Sequence, residues 1–216
     1  MKNEIISNLR EDYKAKSFRR TDLVADPYAQ FNAWFEEALN AKIPEPNAMT
    51  LATASLSGRP SARVVLLKSI VEDGFIFYTN YESTKGKMLA ENPQAALVFC
   101  WLELERQIRI EGRVEKVDTA TSEAYFQSRP KKSQLGAWVS QQSTVIKART
   151  VLEENMTELQ AQYAAQAVLP KPPHWGGYKV IPDKIEFWQG RSSRLHDRFQ
   201  YTLQADGQWI IERLAP

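Results

Sequence analysis

One cysteine and two histidines are all the soft metal-ligating chemistry in a chain of 216 residues. Cys100 has no intrachain disulfide partner, and a Cys-based zinc site is excluded with it. His174 and His196 do not make a metal site by themselves, and no metal is expected. Long apolar runs are also missing, since nothing approaches the roughly 20 residues of a membrane helix. The opening "MKNEIISNLREDYKAKSFRR" is too charged for a secretory leader. Together with the lone thiol, this points to a reducing, cytoplasmic setting with no membrane partner. Neither GxGxxG nor GxxxxGK[ST] occurs, so the usual nucleotide loops are absent. The formal net charge is only +2, too small to argue for nucleic acid.

What remains is an ordinary globular composition, 43% hydrophobic and 25% charged, in a chain long enough to bury one real core. Residues 1–25 are polar without a sustained apolar period and read as a flexible arm or lid. Residues 26–216 read as a single domain. In "DPYAQFNAWFEEALNAKIPEP", Asp26 is a cap and Pro27 suits the first helical position. Phe31, Trp34, Phe35, Ala38 and Leu39 fall on one face of that helix. Strand-like runs follow at "MTLATASL", "ARVVLLKSI" and "FIFYTN". "STKGKMLAENP" is a short helix capped by Ser83 and stopped at Asn92-Pro93. "AALVFCWLE" and "RQIRIEGRVEKV" are two more strands, and "TATSEAYFQSRP" is a helix halted by Pro130. "STVIKARTVLEENMTELQAQYAA" is a longer helix with Ile146, Arg149, Leu152, Met156, Leu159 and Tyr163 along one stripe. "GGYKVIP", "KIEFWQ", "RFQYTLQ" and "QWIIERL" close the chain as strands, with "ADG" as a hairpin turn. About nine strands with no βαβ rhythm argue for a mainly β fold, an antiparallel barrel with peripheral helices.

Chemistry collects in a few segments. "RVVLLK" brackets four aliphatics with Arg63 and Lys68. On a regular strand these two point to opposite faces and would serve different anions; snorkelling strand ends are the plain alternative. "YTNYESTKGK" sets Tyr78 and Thr79 at a strand end and Lys85 in the first turn of a helix, where the N-terminus favours an anion. "YFQSRPKKS" puts Tyr125 and Arg129 at i and i+4 with Ser133 beyond, a donor set suited to a phosphate monoester or to a surface stack. "GAWVSQQS" offers neutral amides and hydroxyls, with helix capping by Ser143 as the other reading. Trp138 and Trp188 suit either the core or an aromatic ligand, and His174 reads as structural. "RSSRLHDRF" follows the core strand "IEFWQG" and gathers Arg191, Arg194, His196 and Arg198. Two phosphate-type sites and an amide-rich site suit a phosphorylated planar cofactor beside a phosphorylated planar substrate.

From residue 26 onward, "RVVLLK", "FYTN", "STKGK", "ERQIRIEG", "YFQSRP", "SQLGAWVSQQS", "WGGY", "EFWQGRSSRLHDRF" and the terminal "ERLAP" run in the order found in the pyridoxine/pyridoxamine 5′-phosphate oxidase family, which the chain resembles. The resemblance implies an FMN-binding split β-barrel, an FMN cofactor and a homodimer with its sites at the interface. It further implies oxidation of pyridoxamine and pyridoxine 5′-phosphates to pyridoxal 5′-phosphate, with O2 as acceptor and H2O2 as product. Carried over by motif, Arg63, Val64, Val65, Leu66, Leu67, Lys68, Tyr78, Thr79, Thr84, Lys85, Gln107, Gln142, Ser143, Trp188 and Arg198 face FMN. Lys68, Tyr125, Arg129, Ser133, Arg194, Leu195 and His196 face the substrate, with Arg194 and His196 at the reacting ring. Arg10 and Tyr13 of the N-terminal arm join the substrate side. Other readings are a split-barrel flavin reductase with another acceptor, a non-catalytic pyridoxal-phosphate-binding protein, and a single-strand nucleic-acid barrel.

One position departs from the family pattern: Thr84 stands where Arg commonly precedes the lysine. Hydrogen bonds to charged groups contribute roughly 1.5–3 kcal/mol, so Thr84→Arg is expected to tighten FMN binding measurably. A flavin titration of the two apoproteins checks this, and equal or weaker affinity in the variant would refute it.

Overall fold

The Asp26 carboxylate accepts from the N–H groups of Tyr28, at 3.2 Å, and Ala29, at 3.0 Å, and Pro27 opens the helix Pro27–Asn40. This is the start the sequence called for. In the computed structural model, which describes residues 2–9, 12–14 and 16–216, it is α2, after α1 (Lys2–Asn8). The later helices are α3 (Thr84–Glu91), α4 (Thr119–Ser128), α5 (Lys131–Val139) and α6 (Thr150–Gln162). The strands are β1 (Ala48–Ala54), β2 (Pro60–Leu66), β3 (Ser69–Val71), β4 (Gly74–Asn80), β5 (Gln94–Trp101), β6 (Arg106–Lys116), β7 (Trp175–Gln189), β8 (Asp197–Leu203) and β9 (Trp209–Arg213). They pair in the order β2-β1-β5-β6-β7-β4-β3, with β8 on β7 and β9 on β8.

β7 is long because it serves two partners. Trp175–Val180 pair antiparallel with β4, and Lys184–Gln189 pair antiparallel with β8. Pro182 falls between the two registers, where its missing N–H is least costly to those ladders. Gly207, at φ +82, supplies the left-handed residue of the β8–β9 hairpin, and its N–H donates to the Gln204 carbonyl at 3.0 Å.

The chain divides into two compact units. The first comprises Met1–Met49, Leu97–Glu111 and Pro182–Pro216. Its core is aromatic: Phe18, Phe31, Trp34, Phe99, Trp101, Phe187, Phe199 and Tyr201 are all buried. Phe18 packs on Trp34 at 4.8 Å and on Phe199 at 5.3 Å, which anchors the polar N-terminal segment at that point. The second unit comprises Thr50–Ala96 and Gly112–Ile181. There Phe126, Leu135, Leu169 and Trp175 form a cluster that Met156, Leu159 and Tyr163 of the α6 region cover.

Several expectations need correction. "ARVVLLKSI" is two strands, broken at Leu67 and Lys68, so the opposite-face argument for Arg63 and Lys68 loses its premise. The run is not a core strand either: β2 lies at the end of the strand order, and Val64 is 68% exposed. "GGYKVIP" and "KIEFWQ" merge into β7, which keeps the strand count at nine among the described residues. Leu39, placed on the buried face of α2, is 52% exposed. The long helix begins at Thr150, not near Ser143, and α5 went unread because Pro130 looked like a stop but serves as its N-cap. Arg129 is not helical: it caps α4 in extended conformation.

Phe31 is fully buried against Phe35, Phe99 and Trp101. Phe31→Ala is expected to cost about 3–5 kcal/mol in urea unfolding; a loss below about 1 kcal/mol would show that this cluster does not support the unit.

Candidate functional site

In the second unit the end of β2, the end of β4, the start of α3, the α4–α5 corner and the start of β7 enclose a cavity of about 490 Å³. That is a ligand-sized space. Val64, Val65, Leu66, Lys68, Tyr78, Thr79, Lys85, Tyr125, Arg129, Ser133 and Gln142 line it. All were singled out from the sequence. Ser140, one of the hydroxyls of "GAWVSQQS", lines it too, and so do Asn80, Gly136, Ala137 and Trp175, which were missed as ligand-facing positions. Asn80 and Trp175 lay within quoted motifs, "FYTN" and "WGGY", but carried no charge to single them out. Glycine in "STKGK" has a packing reason, because a Cβ at Gly86 would collide with the Tyr81 carbonyl.

Two cationic groups stand out. At the N-terminus of α3, Lys85 Nζ donates to Gln142 Oε1 at 3.0 Å and to Thr79 Oγ1 at 3.3 Å. Ser143 reaches the same corner, its hydroxyl accepting from the Thr84 N–H at 3.2 Å; it does not cap α6, whose N-cap is Arg149. Burial, and then the charge of Arg63, push the Lys85 pKa down. Arg63 itself does not line the cavity. Its guanidinium donates to Thr53 Oγ1 at 2.8 Å, Ser61 Oγ at 2.7 Å and the carbonyls of Leu51 and Ser61, all uncharged, and burial lowers its pKa. Leu67 is buried below.

At the second group, Arg129 sits 4.7 Å over the Trp175 ring, with its pKa lowered by burial. Its Nη1 is buried with no hydrogen-bond partner. Lys68, Tyr125 and Ser133 line the same cavity. A phosphate monoester supplies the charge and acceptor oxygens that both groups lack. The donor sets therefore fit one phosphorylated cofactor and one phosphorylated substrate.

In the first unit Trp188, Tyr13 and His196 form a ring cluster. Trp188 and His196 lie 4.5 Å apart, with Tyr13 at 5.8 Å from each. Tyr13, Arg194 and His196 line a second cavity. Ser193 and Arg194 adopt φ +56 and +62 in succession, a left-handed corner that non-glycine residues rarely occupy. His196 Nδ1 accepts from the Arg191 N–H at 3.1 Å, so the neutral ring carries its proton on Nε2. Burial, then the charges of Arg194 and Arg198, lower its pKa. Arg198 pairs with the buried Glu186 at 2.7 Å, which raises its pKa, and donates to the Ala215 carbonyl at 2.7 Å. Leu195 is exposed and Gln107 half-buried on β6. Arg10 lies outside the described residues. Among the described residues no cluster of His, Cys, Asp or Glu could hold a metal, and no helix is long and apolar enough to cross a membrane. Trp138 packs against the second-unit core and donates to the Pro170 carbonyl.

An antiparallel β core with peripheral helices, and a cavity whose lining holds cations but no acid, is the architecture of the FMN-binding split-barrel class. Residues 35–163 match the family model described as pyridoxamine 5′-phosphate oxidase, and residues 175–216 match the pyridoxine 5′-phosphate oxidase C-terminal dimerisation region. The chain is 59% identical over 211 residues to a pyridoxine/pyridoxamine 5′-phosphate oxidase of Trichormus variabilis, covering 98% of each chain. It is 56% identical to the enzyme of that name from Burkholderia vietnamiensis, covering 98% of this chain and 99% of the other. Among solved structures, PhzG from Burkholderia lata, in complex with tetrahydrophenazine-1-carboxylic acid, superposes with a TM-score of 0.88 at 30% identity, covering 95% of this chain and all of that one. The chain belongs to the pyridoxine/pyridoxamine 5′-phosphate oxidase family, and is an FMN-dependent enzyme.

Asp197 ties the first-unit cluster together. Its carboxylate accepts from the Phe18 N–H at 3.0 Å and from Arg213 at 2.8 Å, and faces Arg191 at 3.6 Å. Burial raises its pKa, but the Phe18 N–H, Arg213 and Arg191 outweigh it, and the net shift is downward. A depressed carboxylate stabilises the fold above its unfolded pKa, and that contribution is lost as pH falls through the folded value. With Arg213 half-exposed, Asp197→Asn is expected to cost about 1–2 kcal/mol at pH 7. The gap between the two proteins should close below about pH 4. A gap in urea midpoints that persists unchanged at pH 3 would refute the ion-pair origin.

Proposed function

We propose that the chain oxidises pyridoxamine 5′-phosphate and pyridoxine 5′-phosphate to pyridoxal 5′-phosphate with O2 as acceptor. The alcohol reaction consumes one O2 and releases one H2O2; the amine reaction also consumes one water and releases NH3. The observation that carries the reading is a cavity lined by half-buried Lys85 and Arg129 and exposed Lys68, with no carboxylate in its lining and with half-buried Arg63 close to Lys85. FMN, when bound, accepts a hydride equivalent from the substrate carbon and returns the electrons to O2.

The protein's part is position and electrostatics. Arg63, Lys85, Thr79, Gln142 and Ser143 hold the FMN phosphate, with Thr84 beside them and Tyr78 and the Val64–Leu67 segment along the cofactor. Gln107, Trp188 and Arg198 contact its ring or ribityl chain. Lys68, Tyr125, Arg129 and Ser133 grip the substrate phosphate, which fixes the ring without constraining its reacting carbon. Arg194, Leu195 and His196 lie against the substrate ring. Neutral His196 donates from Nε2, while Arg194 supplies charge and, with Tyr13 and Arg10 of the N-terminal segment as a lid, excludes water. The active form is a homodimer with its sites at the interface, in the cytoplasm. A second reading draws on the PhzG likeness: a reduced, carboxylated ring system such as tetrahydrophenazine-1-carboxylic acid as the substrate.

Purified protein should show flavin absorbance, and pyridoxamine 5′-phosphate should drive O2 uptake with matching peroxide. Turnover of tetrahydrophenazine-1-carboxylic acid in preference to the phosphate esters would favour the second reading. Arg194→Ala is expected to keep its flavin and lose roughly 10–100-fold in kcat/KM, the equivalent of a charged hydrogen bond. A variant that loses flavin but turns over normally once FMN is restored would overturn the role.

A further inference from the structure

Arg129 lines the phosphate-type cavity, yet among the described residues its side chain makes no hydrogen bond or ion pair, and Nη1 is buried without a partner. What orients it is aromatic. The guanidinium carbon lies 4.7 Å above the Trp175 ring and 5.7 Å from the Phe126 ring. Trp175 also completes a stack of near-parallel rings. Tyr125 and Tyr78 are 3.9 Å apart, Tyr78 and Trp175 5.3 Å, and the Tyr125 and Trp175 planes differ by 8°. One indole therefore braces both Tyr125 and Arg129. From below, Gln134 fixes the corner they sit on, its Nε2 donating to the Arg129 carbonyl at 2.7 Å and the Gln127 carbonyl at 3.1 Å. A guanidinium held by ring faces keeps its N–H groups free for an incoming ligand, whereas a carboxylate partner would compete for them.

We propose that Trp175 is a positioning residue that pre-sets Arg129 for the phosphate of the substrate, and so contributes to selection of phosphorylated over unphosphorylated substrates. The inference rests on the reading of this cavity as the substrate-phosphate site. Without the indole, Arg129 must be ordered by the ligand at the moment of binding, which weakens binding and leaves the chemical step alone.

The test is a double-mutant cycle on the FMN-loaded protein with two readouts, calorimetric binding of inorganic phosphate and steady-state kinetics with pyridoxamine 5′-phosphate. Trp175→Leu is expected to weaken phosphate binding and raise KM by about tenfold, with kcat within about twofold and flavin retained. Trp175→Phe should restore most of the loss. In an Arg129→Ala background the Trp175 substitutions should change neither readout by more than about twofold. Because Trp175 is buried, Trp175→Leu can fail to fold. Trp175→Phe then decides, with about a threefold weakening when Arg129 is present and none when it is absent. Equal losses with and without Arg129, or an equal rise in KM for unphosphorylated pyridoxamine, would overturn the proposal. Coupled phosphate binding in a protein that does not turn over pyridoxamine 5′-phosphate would sink the functional reading and leave the Trp175–Arg129 coupling standing.

Discussion

The arrangement depends on half-buried positive charge that no carboxylate of the fold neutralises among the described residues. Elsewhere several cations, from buried Arg106 to half-exposed Arg213, are paired with acids. Arg106 meets Glu37, Arg109 and Arg198 share Glu186, Lys179 takes Asp73 and Glu115, and Arg213 takes Asp197. Arg63, Lys85 and Arg129 are treated differently. Their partners are hydroxyls, amides, carbonyls and ring faces, and burial lowers all three pKa values. Desolvating a cation without a counter-charge is costly. Arg63, Lys85 and Arg129 share this lack of a carboxylate with Lys131 and Lys171, which donate to carbonyls. But Lys85 and Arg129 line the cavity, which is what suits them to an anion under the proposed function.

Local chain geometry places these cations. Lys85 reaches its position because Ser83 caps α3, its hydroxyl accepting from the Gly86 N–H, and because Gly86 lets the helix press against Tyr81. Arg129 leaves the helical path at the α4 C-cap, and Pro130 then starts α5 in a new direction. That corner puts Ser133 on the same cavity as Tyr125 although a proline lies between them. Lys85 and Arg129 therefore stand at a helix start and a helix corner, where backbone groups lie outside the regular ladder, whereas Arg63 stands on β2.

Legibility in the sequence followed the range of the forces involved. Asp26, Pro27, Ser83 and Gly207 were readable because caps and turns are set by neighbours a few residues away. Most of the second-unit cavity was readable because charged and hydroxylated side chains announce themselves in "RVVLLK", "STKGK" and "YFQSRP". Trp175 was not, since an indole in a Pro/Gly loop looks the same whether it fills a core or braces a guanidinium. The break at Leu67–Lys68 was hidden because four aliphatics in a row read as one buried strand, while β2 lies at the end of the strand order, where exposed Val64 is tolerated. Pro130 misled for a related reason: a proline that ends one helix is equally suited to begin the next.

In the first unit the charge logic takes another form. His196 is flanked by Arg194 and Arg198, and its Nδ1 is committed to the Arg191 N–H. Protonating it would place a fourth cation in that loop, beside Arg191, Arg194 and Arg198, and cost it the bond to Arg191, in keeping with the downward shift of its pKa. Glu186 absorbs the charge of Arg198, and Asp197 is spent on Phe18, Arg213 and Arg191. Arg194, carried on a left-handed corner beside His196, is the member of the loop that no carboxylate engages among the described residues. The acids of this loop thus sort its cations into structural and available ones, and leave a neutral donor next to an uncompensated guanidinium. That pairing can polarise a ring substituent without a proton having to move first.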